Sequence, residues 1–123
     1  MSHFILRPSS TGFKFDLKAT NGQIIATSEV YDTKAACRKG IESVKKSAPV
    51  AKLEDRTEPE FSGCTNPRFE LYTDRSGSFR FRLRARNGKI IAISEGYSTK
   101  AACKNGIDSV RKNAPDAQTD ESL

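Results

Sequence analysis

Phe13-Lys-Phe-Asp-Leu-Lys-Ala-Thr-Asn-Gly-Gln-Ile-Ile-Ala26 returns 66 residues later as Phe79-Arg-Phe-Arg-Leu-Arg-Ala-Arg-Asn-Gly-Lys-Ile-Ile-Ala92. Self-similarity at a fixed offset marks a repeated structural unit. The match runs on through Ser28-Glu29 and Ser94-Glu95, then Thr33 to Cys37 and Thr99 to Cys103, and ends at Pro49 and Pro115. From Phe13 to Pro49, 24 of 37 positions are identical. Upstream, His3-Phe-Ile-Leu fits Arg68-Phe-Glu-Leu if the second copy's turn is one residue longer.

Within each copy the periods change from two to about 3.6. Phe13, Phe15, Leu17 and Ala19 alternate with Lys14, Asp16, Lys18 and Thr20, as on a half-buried strand. Asn21-Gly22 and Asn87-Gly88 predict two-residue hairpin turns. Counting back across the first pairs Ala19 with Ile24, Leu17 with Ala26 and Phe15 with Ser28. The expected core face is then Phe13, Phe15, Leu17, Ala19, Ile24 and Ala26.

A helix follows in each copy. Asp32-Thr33 and Ser98-Thr99 are its N-cap candidates, and an Asp32 or Ser98 cap would make Tyr31 or Tyr97 a hydrophobic staple. The stripe Cys37, Ile41, Val44, Ala48 recurs as Cys103, Ile107, Val110, Ala114. Pro49 and Pro115 stop the helices. Gly40 and Gly106 sit mid-helix, at about 1 kcal/mol relative to Ala, which predicts close approach of helix to sheet. Val50 to Glu54 reads as a further short strand, and the end of the chain from Asp120 as frayed.

One unit of this size buries too little surface to stand alone. Two units sharing one sheet, with both helices on one face, solve that problem. The expected organisation is repeat 1 over 1–57, a linker over 58–67 and repeat 2 over 68–123, in one domain. It amounts to a homodimer fused into one chain: a monomer with an internal pseudo-dimer, with further homodimerisation left open.

The pattern Phe-x-Phe-x-Leu-x-Ala-x-Asn-Gly-x-Ile-Ile, then Ser-Glu-x-Tyr-x-Thr-Lys-Ala and Asn105-Gly106-Ile107-Asp108-Ser109-Val110, resembles the YegP-like family, domain of unknown function 1508. The resemblance covers both repeats. It implies an α+β fold of two β-β-β-α-β units sharing one antiparallel sheet. It further implies that the strand after each helix swaps onto the other unit, so that Val50 to Glu54 pairs with the second copy. It brings no activity, substrate or binding residue. Arg38-Lys39 departs from the family's usual Asn before Gly, and the linker is longer than usual.

Net charge is +6, and residues 61–115 hold 11 Lys/Arg against 4 Asp/Glu. A basic body is compatible with a polyanionic partner. An odd cysteine count of three and the absence of a signal-like or membrane-spanning apolar run place the chain in the cytoplasm, away from membranes.

The strongest candidate site is the uncovered sheet face of repeat 2. Alternation sets Arg80, Arg82, Arg84 and Arg86 on one face, roughly 7 Å apart, with Tyr72 beside them if Phe69 and Leu71 point inward. Lys89, Ile91, Ile93 and Glu95 stand across the hairpin. Arg86 opposite Lys89 is a like-charge pair, and only Arg80 has a partner in view, Glu95. Such a face could hold a phosphate backbone and stack a base. The plainer reading is a solvated face whose arginine stems cover Ile91 and Ile93. Copy one carries a diluted version, interrupted by Asp16. The alternative to an anion-binding module is a protein-interaction or structural module working through sheet edges or self-association.

Other constellations are weaker. The strand–helix junctions Ser28–Lys34 and Ser94–Lys100 offer helix N-termini, but capping accounts for their residues. Cys37 and Cys103 belong to the core stripe, and Cys64 to an exposed linker. His3, at a frayed start, has no nucleophile or orienter. Glu29 and Glu95 face Lys14 and Arg80 rather than forming a catalytic pair. No enzyme activity, cofactor or metal site is expected.

Overall fold

The computed structural model of the chain describes residues 2–121. Repeat 1 contributes β1 (His3–Pro8), β2 (Phe13–Lys18), β3 (Ile24–Thr27), α1 (Lys34–Ser47) and β4 (Lys52–Asp55). Repeat 2 contributes β5 (Arg68–Thr73), β6 (Phe79–Arg84), β7 (Ile90–Ile93), α2 (Lys100–Asn113) and β8 (Gln118–Glu121). All eight strands form one sheet in the order β4-β5-β6-β7-β3-β2-β1-β8.

Each fourth strand leaves its own repeat. β4 pairs with β5, and β8 with β1, as the family resemblance implies. Both exchanged strands run parallel to their partners, so the sheet is mixed rather than wholly antiparallel. The halves meet where Thr27 of β3 pairs with Ile93 of β7. These are equivalent residues, 66 positions apart, so the pseudo-twofold axis passes through this bridge. α1 packs on β1, β2 and β7, while α2 packs on β3, β5 and β6, so each helix also spans the seam.

The hairpin turns differ from the two-residue reading. Gly22 N–H donates to Ala19 O at 2.9 Å and Ala19 N–H to Gln23 O at 2.8 Å, closing a three-residue loop. Only Gly22, at φ 86, is left-handed, and Gly88 at φ 85 repeats the arrangement. This shifts the register by one, and a bulge at Ile25 shifts it back. The two irregularities cancel. Leu17 faces Ala26 and Phe15 bonds Ser28 as the sequence predicts, but Lys18, not Ala19, faces Ile24. Ile24 is accordingly 43% exposed and Ile25 is buried in its stead.

The core lies between the helices and one sheet face. Phe4, Leu6, Phe15 and Leu17, with Phe69, Leu71, Phe81 and Leu83, are fully buried against Cys37, Ile41, Val44 and their partners. Ser28 and Ser94 are buried but satisfied. Ser28 Oγ accepts from Phe15 N–H at 2.9 Å and donates to Glu29 O at 2.8 Å, and Ser94 does the same with Phe81 and Glu95.

Thr33 and Thr99 are the N-caps, each hydroxyl accepting from the N–H three residues on. Tyr31 therefore stands two residues before the cap and is no staple. It is held by a two-way backbone bridge to Phe13, and its ring stacks on Phe15 at 6.2 Å. Burial raises the Tyr31 hydroxyl to about 12. The same ring explains Gly40: a Cβ there would collide with Tyr31 Oη and Cζ. Tyr97 crosses Gly106 in the same way. The glycine thus makes room for a tyrosine as well as for the sheet.

At the chain's end, Gln118–Glu121 is an ordered strand rather than a frayed tail, while Ser122 and Leu123 lie outside the described residues. His3, expected to be frayed, is in β1 with Nδ1 at 2.9 Å from Asp120.

Gly→Ala in a helix ordinarily stabilises by about 1 kcal/mol. Gly40→Ala is expected to do the opposite and cost roughly 1–3 kcal/mol through overpacking. Urea denaturation checks it, and the cost should shrink in a Tyr31→Phe background, where the hydroxyl that collides is gone.

Candidate functional site

The open face of repeat 2 brings together Tyr72, Arg80, Arg82 and Arg84, as alternation requires. Register sets Tyr72 opposite Arg80, Glu70 opposite Arg82 and Arg68 opposite Arg84. The guanidinium of Arg82 lies 4.4 Å from the centre of the Tyr72 ring, within cation–π range. Arg86 does not belong to this ladder. β6 ends at Arg84, and Arg86 sits exposed in the turn. Lys89 does not face it either, because the three-residue loop pairs Ala85 with Lys89. Across the hairpin Arg84 faces Ile90, and Ile91, expected on the outer face, is buried.

The ladder is not free charge. Glu70, fully buried, is the hub beneath it. Its carboxylate meets Arg82 at 2.5 Å, Arg68 at 2.7 Å, Arg84 at 3.0 Å and Arg56 at 3.4 Å. Glu54, on the exchanged strand β4, meets Arg68 at 2.8 Å. Burial pushes the Glu70 carboxyl upward, but hydrogen bonds from Arg82, Arg68 and Arg84 outweigh it and bring the value down to about 2. Four guanidiniums therefore share two carboxylates, an excess of two positive charges. The signal for Glu70 was present in Phe69-Glu70-Leu71, whose alternation turns the acid outward. What the sequence did not supply was the register that puts it under Arg82.

Arg80 pairs with Asp74 at 2.6 Å and donates to Ser94 O at 3.0 Å; among the described residues the expected partner, Glu95, makes no ion pair. Nor does Glu29 pair with Lys14 among the described residues. Repeat 1 uses the same diagonal differently. Arg7 bonds Asp16 at 2.8 Å in the place where repeat 2 stacks Tyr72 on Arg82.

The remaining candidates resolve simply. Lys100, at the start of α2, is taken by Glu58 at 2.9 Å and Asp55 at 3.2 Å. Cys37 and Cys103 are free and buried, and burial raises the Cys103 thiol to about 11. Cys64 is half-buried rather than exposed, with Sγ 3.6 Å from Leu53 O. The linker folds back, Arg56 lying 5.2 Å from the Phe61 ring. Both sheet edges are four-residue strands bearing charge, Lys-Leu-Glu-Asp in β4 and Gln-Thr-Asp-Glu in β8, a composition that resists strand addition. Among the described residues no helix is long and apolar enough to cross a membrane.

Residues 9–55 and 74–121 each match the domain of unknown function DUF1508. The chain belongs to the DUF1508 family. A UPF0339 protein of Bordetella pertussis is 41% identical over 117 residues, covering 95% of this chain and 92% of that one. The UPF0339 protein YegP of Yersinia pestis is 37% identical over 114 residues, 92% and 88% of the two chains. A UPF0339 protein of Treponema denticola is 62% identical over 50 residues, 41% of this chain but 86% of its own, so it has the length of one unit. The solution structure of YegP from E. coli, described as a protein of unknown function, superposes with a TM-score of 0.80 at 34% identity, covering 98% of this chain and 92% of that one. The DUF1508 fold, with two repeats on one mixed sheet, is thus shared.

Because Glu70 ionises more readily folded than unfolded, its contribution is complete above the ordinary value near 4.5 and is lost as pH falls toward about 2. Glu70→Gln is expected to cost roughly 3 kcal/mol at neutral pH, the low end for breaking a buried pair, since its arginines keep some water. Denaturant unfolding of both proteins across pH should show this gap constant above pH 5 and closing on acidification.

Proposed function

We propose that this DUF1508 protein is a small non-enzymatic binding module whose open sheet face in repeat 2 takes an anionic partner, nucleic acid being the class that fits. The supporting observation is the cluster around Glu70. Arg56, Arg68, Arg82 and Arg84 are held on the sheet by Glu54 and Glu70, yet their side chains remain 23–36% exposed. A guanidinium has five N–H donors, and two carboxylates cannot use them all. The outward donors and the excess positive charge suit phosphate oxygens. Tyr72 and the Arg82 plane beside it suit a stacked base. Nucleic acid is also the abundant polyanion of the expected cytoplasmic setting.

The non-enzymatic reading has its own support. Glu70, Asp74, Asp55 and Glu121 are displaced downward, while the displaced arginines, Lys100, Tyr31, Tyr97, Cys37 and Cys103 move upward. Each of these directions follows from burial, hydrogen bonding or ion pairing within the fold, and none of them marks out a general acid or base.

Charge reversal at Arg82 or Arg84 would set a second acid against Glu70 and confound binding with unfolding. Tyr72→Ala, and Lys52→Glu on β4 in register with Arg68 at the rim of the same face, leave the hub paired. Titration with single-stranded and duplex oligonucleotides should show affinity falling with salt, at a slope of about −0.7 per phosphate neutralised for single strands. The Tyr72→Ala, Lys52→Glu double variant is expected to bind about tenfold more weakly. Salt-independent binding, or unchanged affinity in the double variant, would sink the proposal. Light scattering on the same samples tests the alternative, since a concentration-dependent dimer indifferent to these substitutions points to self-association.

A further inference from the structure

The pseudo-twofold axis generates two equivalent clefts on the helix side, each between one repeat's helix and the other repeat's hairpin turn. The first, of about 560 Å³, lies between α1 and the β6–β7 turn and is lined by Ser43, Lys46, Ser47, Ala85, Arg86 and Asn87. The second, of about 370 Å³, lies between α2 and the β2–β3 turn. Its wall carries Thr20, Asn105, Asp108, Ser109, Lys112 and Asn113.

The clefts are built from equivalent segments, share Ser43 with Ser109 and Lys46 with Lys112, and differ at a few positions. Thr20 in the second cleft corresponds to Arg86 in the first, and Asn113 to Ser47. The Asn113 amide donates to Ser109 O at 2.8 Å and Oγ at 3.0 Å, filling the second cleft and satisfying its polar groups internally. Ser47, being shorter, leaves Ser43 without that neighbour and the first cleft wider. Asp108 in the second cleft pairs with Arg111 at 3.4 Å, as its counterpart Glu42 pairs with Lys45, whereas the wall of the first cleft carries Lys46 and Arg86 and no acid. A groove then continues from Ser43 and Lys46 along α1 to Lys39, where repeat 2 has Asn105. The one acid in that groove, Glu42, lies 4.0 Å from Lys45, and Arg38 is bound to Glu121 at 2.7 Å.

On the open sheet face every arginine of the ladder has a carboxylate. Among the described residues Lys39, Lys46 and Arg86 have none. Three of the differences between the repeats thus converge on one cleft, and each either adds a cation or removes a filling group. We propose that the cleft between α1 and the β6–β7 turn is a phosphate-binding site, with Arg86 and Lys46 as its cationic walls, the Ser43 and Ser47 hydroxyls as donors and Lys39 at its mouth. This surface is separate from the sheet face, and the inference does not depend on the reading given for that face. A cleft of this volume with charge-assisted donors suits the phosphoryl group of a small phosphate ester or one phosphate of a polynucleotide.

The other repeat supplies substitutions that this fold already accommodates. Amide NMR of the full chain, titrated with inorganic phosphate, ribose 5-phosphate and a short oligothymidylate at constant ionic strength set by chloride, reads the site directly. Saturating shifts are expected at Ser43, Ser47 and Ala85 to Gly88, and not at Thr20 or Ser109. Arg86→Thr should weaken binding about tenfold, or about 1.4 kcal/mol, and Lys39→Asn by a smaller factor. Thr20→Arg with Asn113→Ser should create matching shifts in the second cleft. Response to the two small ligands assigns the site to phosphate esters; response to the oligonucleotide alone assigns it to a polymer backbone. The proposal is overturned if no probe shifts these amides, or if shifts survive Arg86→Thr unchanged. Signals at Tyr72 and Arg82 report the sheet face separately, so either site can fail while the other stands.

Discussion

The exchange of β4 and β8 is the constraint from which the rest of this structure follows. A three-stranded meander with one helix would leave β1 or β5 as an open edge and the helix half uncovered. Each unit instead lends its last strand to the other's first, so that β5 is flanked by β4 and β6, and β1 by β8 and β2. The seam itself is slight, a single residue pair between Thr27 and Ile93. What holds the halves together is the exchanged strands at the two rims, and the helices that reach past the seam. Glu54 shows how closely chemistry follows topology. It rides on β4 out of repeat 1 and completes the arginine cluster of repeat 2.

Much of this was legible in the residues. Alternation in Phe13 to Ala19 identified the strand and its inner face, and the 66-residue offset identified the tandem repeat. The parts that escaped share a cause. A local pattern says which residues alternate, but not where a chain slips by one. The turn residue Asn21 suggested a two-residue loop, yet Gly22 alone takes the left-handed conformation, and a compensating bulge then exchanges Ile24 for Ile25 in the core. The same slip in repeat 2 takes Arg86 out of the ladder and puts it in the wall of a cleft. Glu70 and Tyr31 escaped for a related reason, since their importance lies in what crosses them from other strands or from a helix.

The two basic surfaces illustrate different uses of charge. Around Glu70 the arginines are organised first by carboxylates, with Arg82 laid on Tyr72, and only their residual donors face outward. At the cleft between α1 and the β6–β7 turn, Lys39, Lys46 and Arg86 stand without carboxylates among the described residues. Composition alone, with its net charge of +6, does not distinguish these cases. Cross-strand register does.

Covalent linkage of the two units has a consequence of a different kind. In an assembly of two identical single-unit chains, every substitution appears twice, once on each side of the axis, and any cost to folding is doubled with it. A tandem chain breaks that bond between sequence and symmetry. Asp16 and Arg82, Thr20 and Arg86, Ser47 and Asn113 each differ between the two halves while the frame around them is shared. The duplicated frame therefore lets the two sides of the axis carry different surfaces, and a substitution on one side is felt once rather than twice.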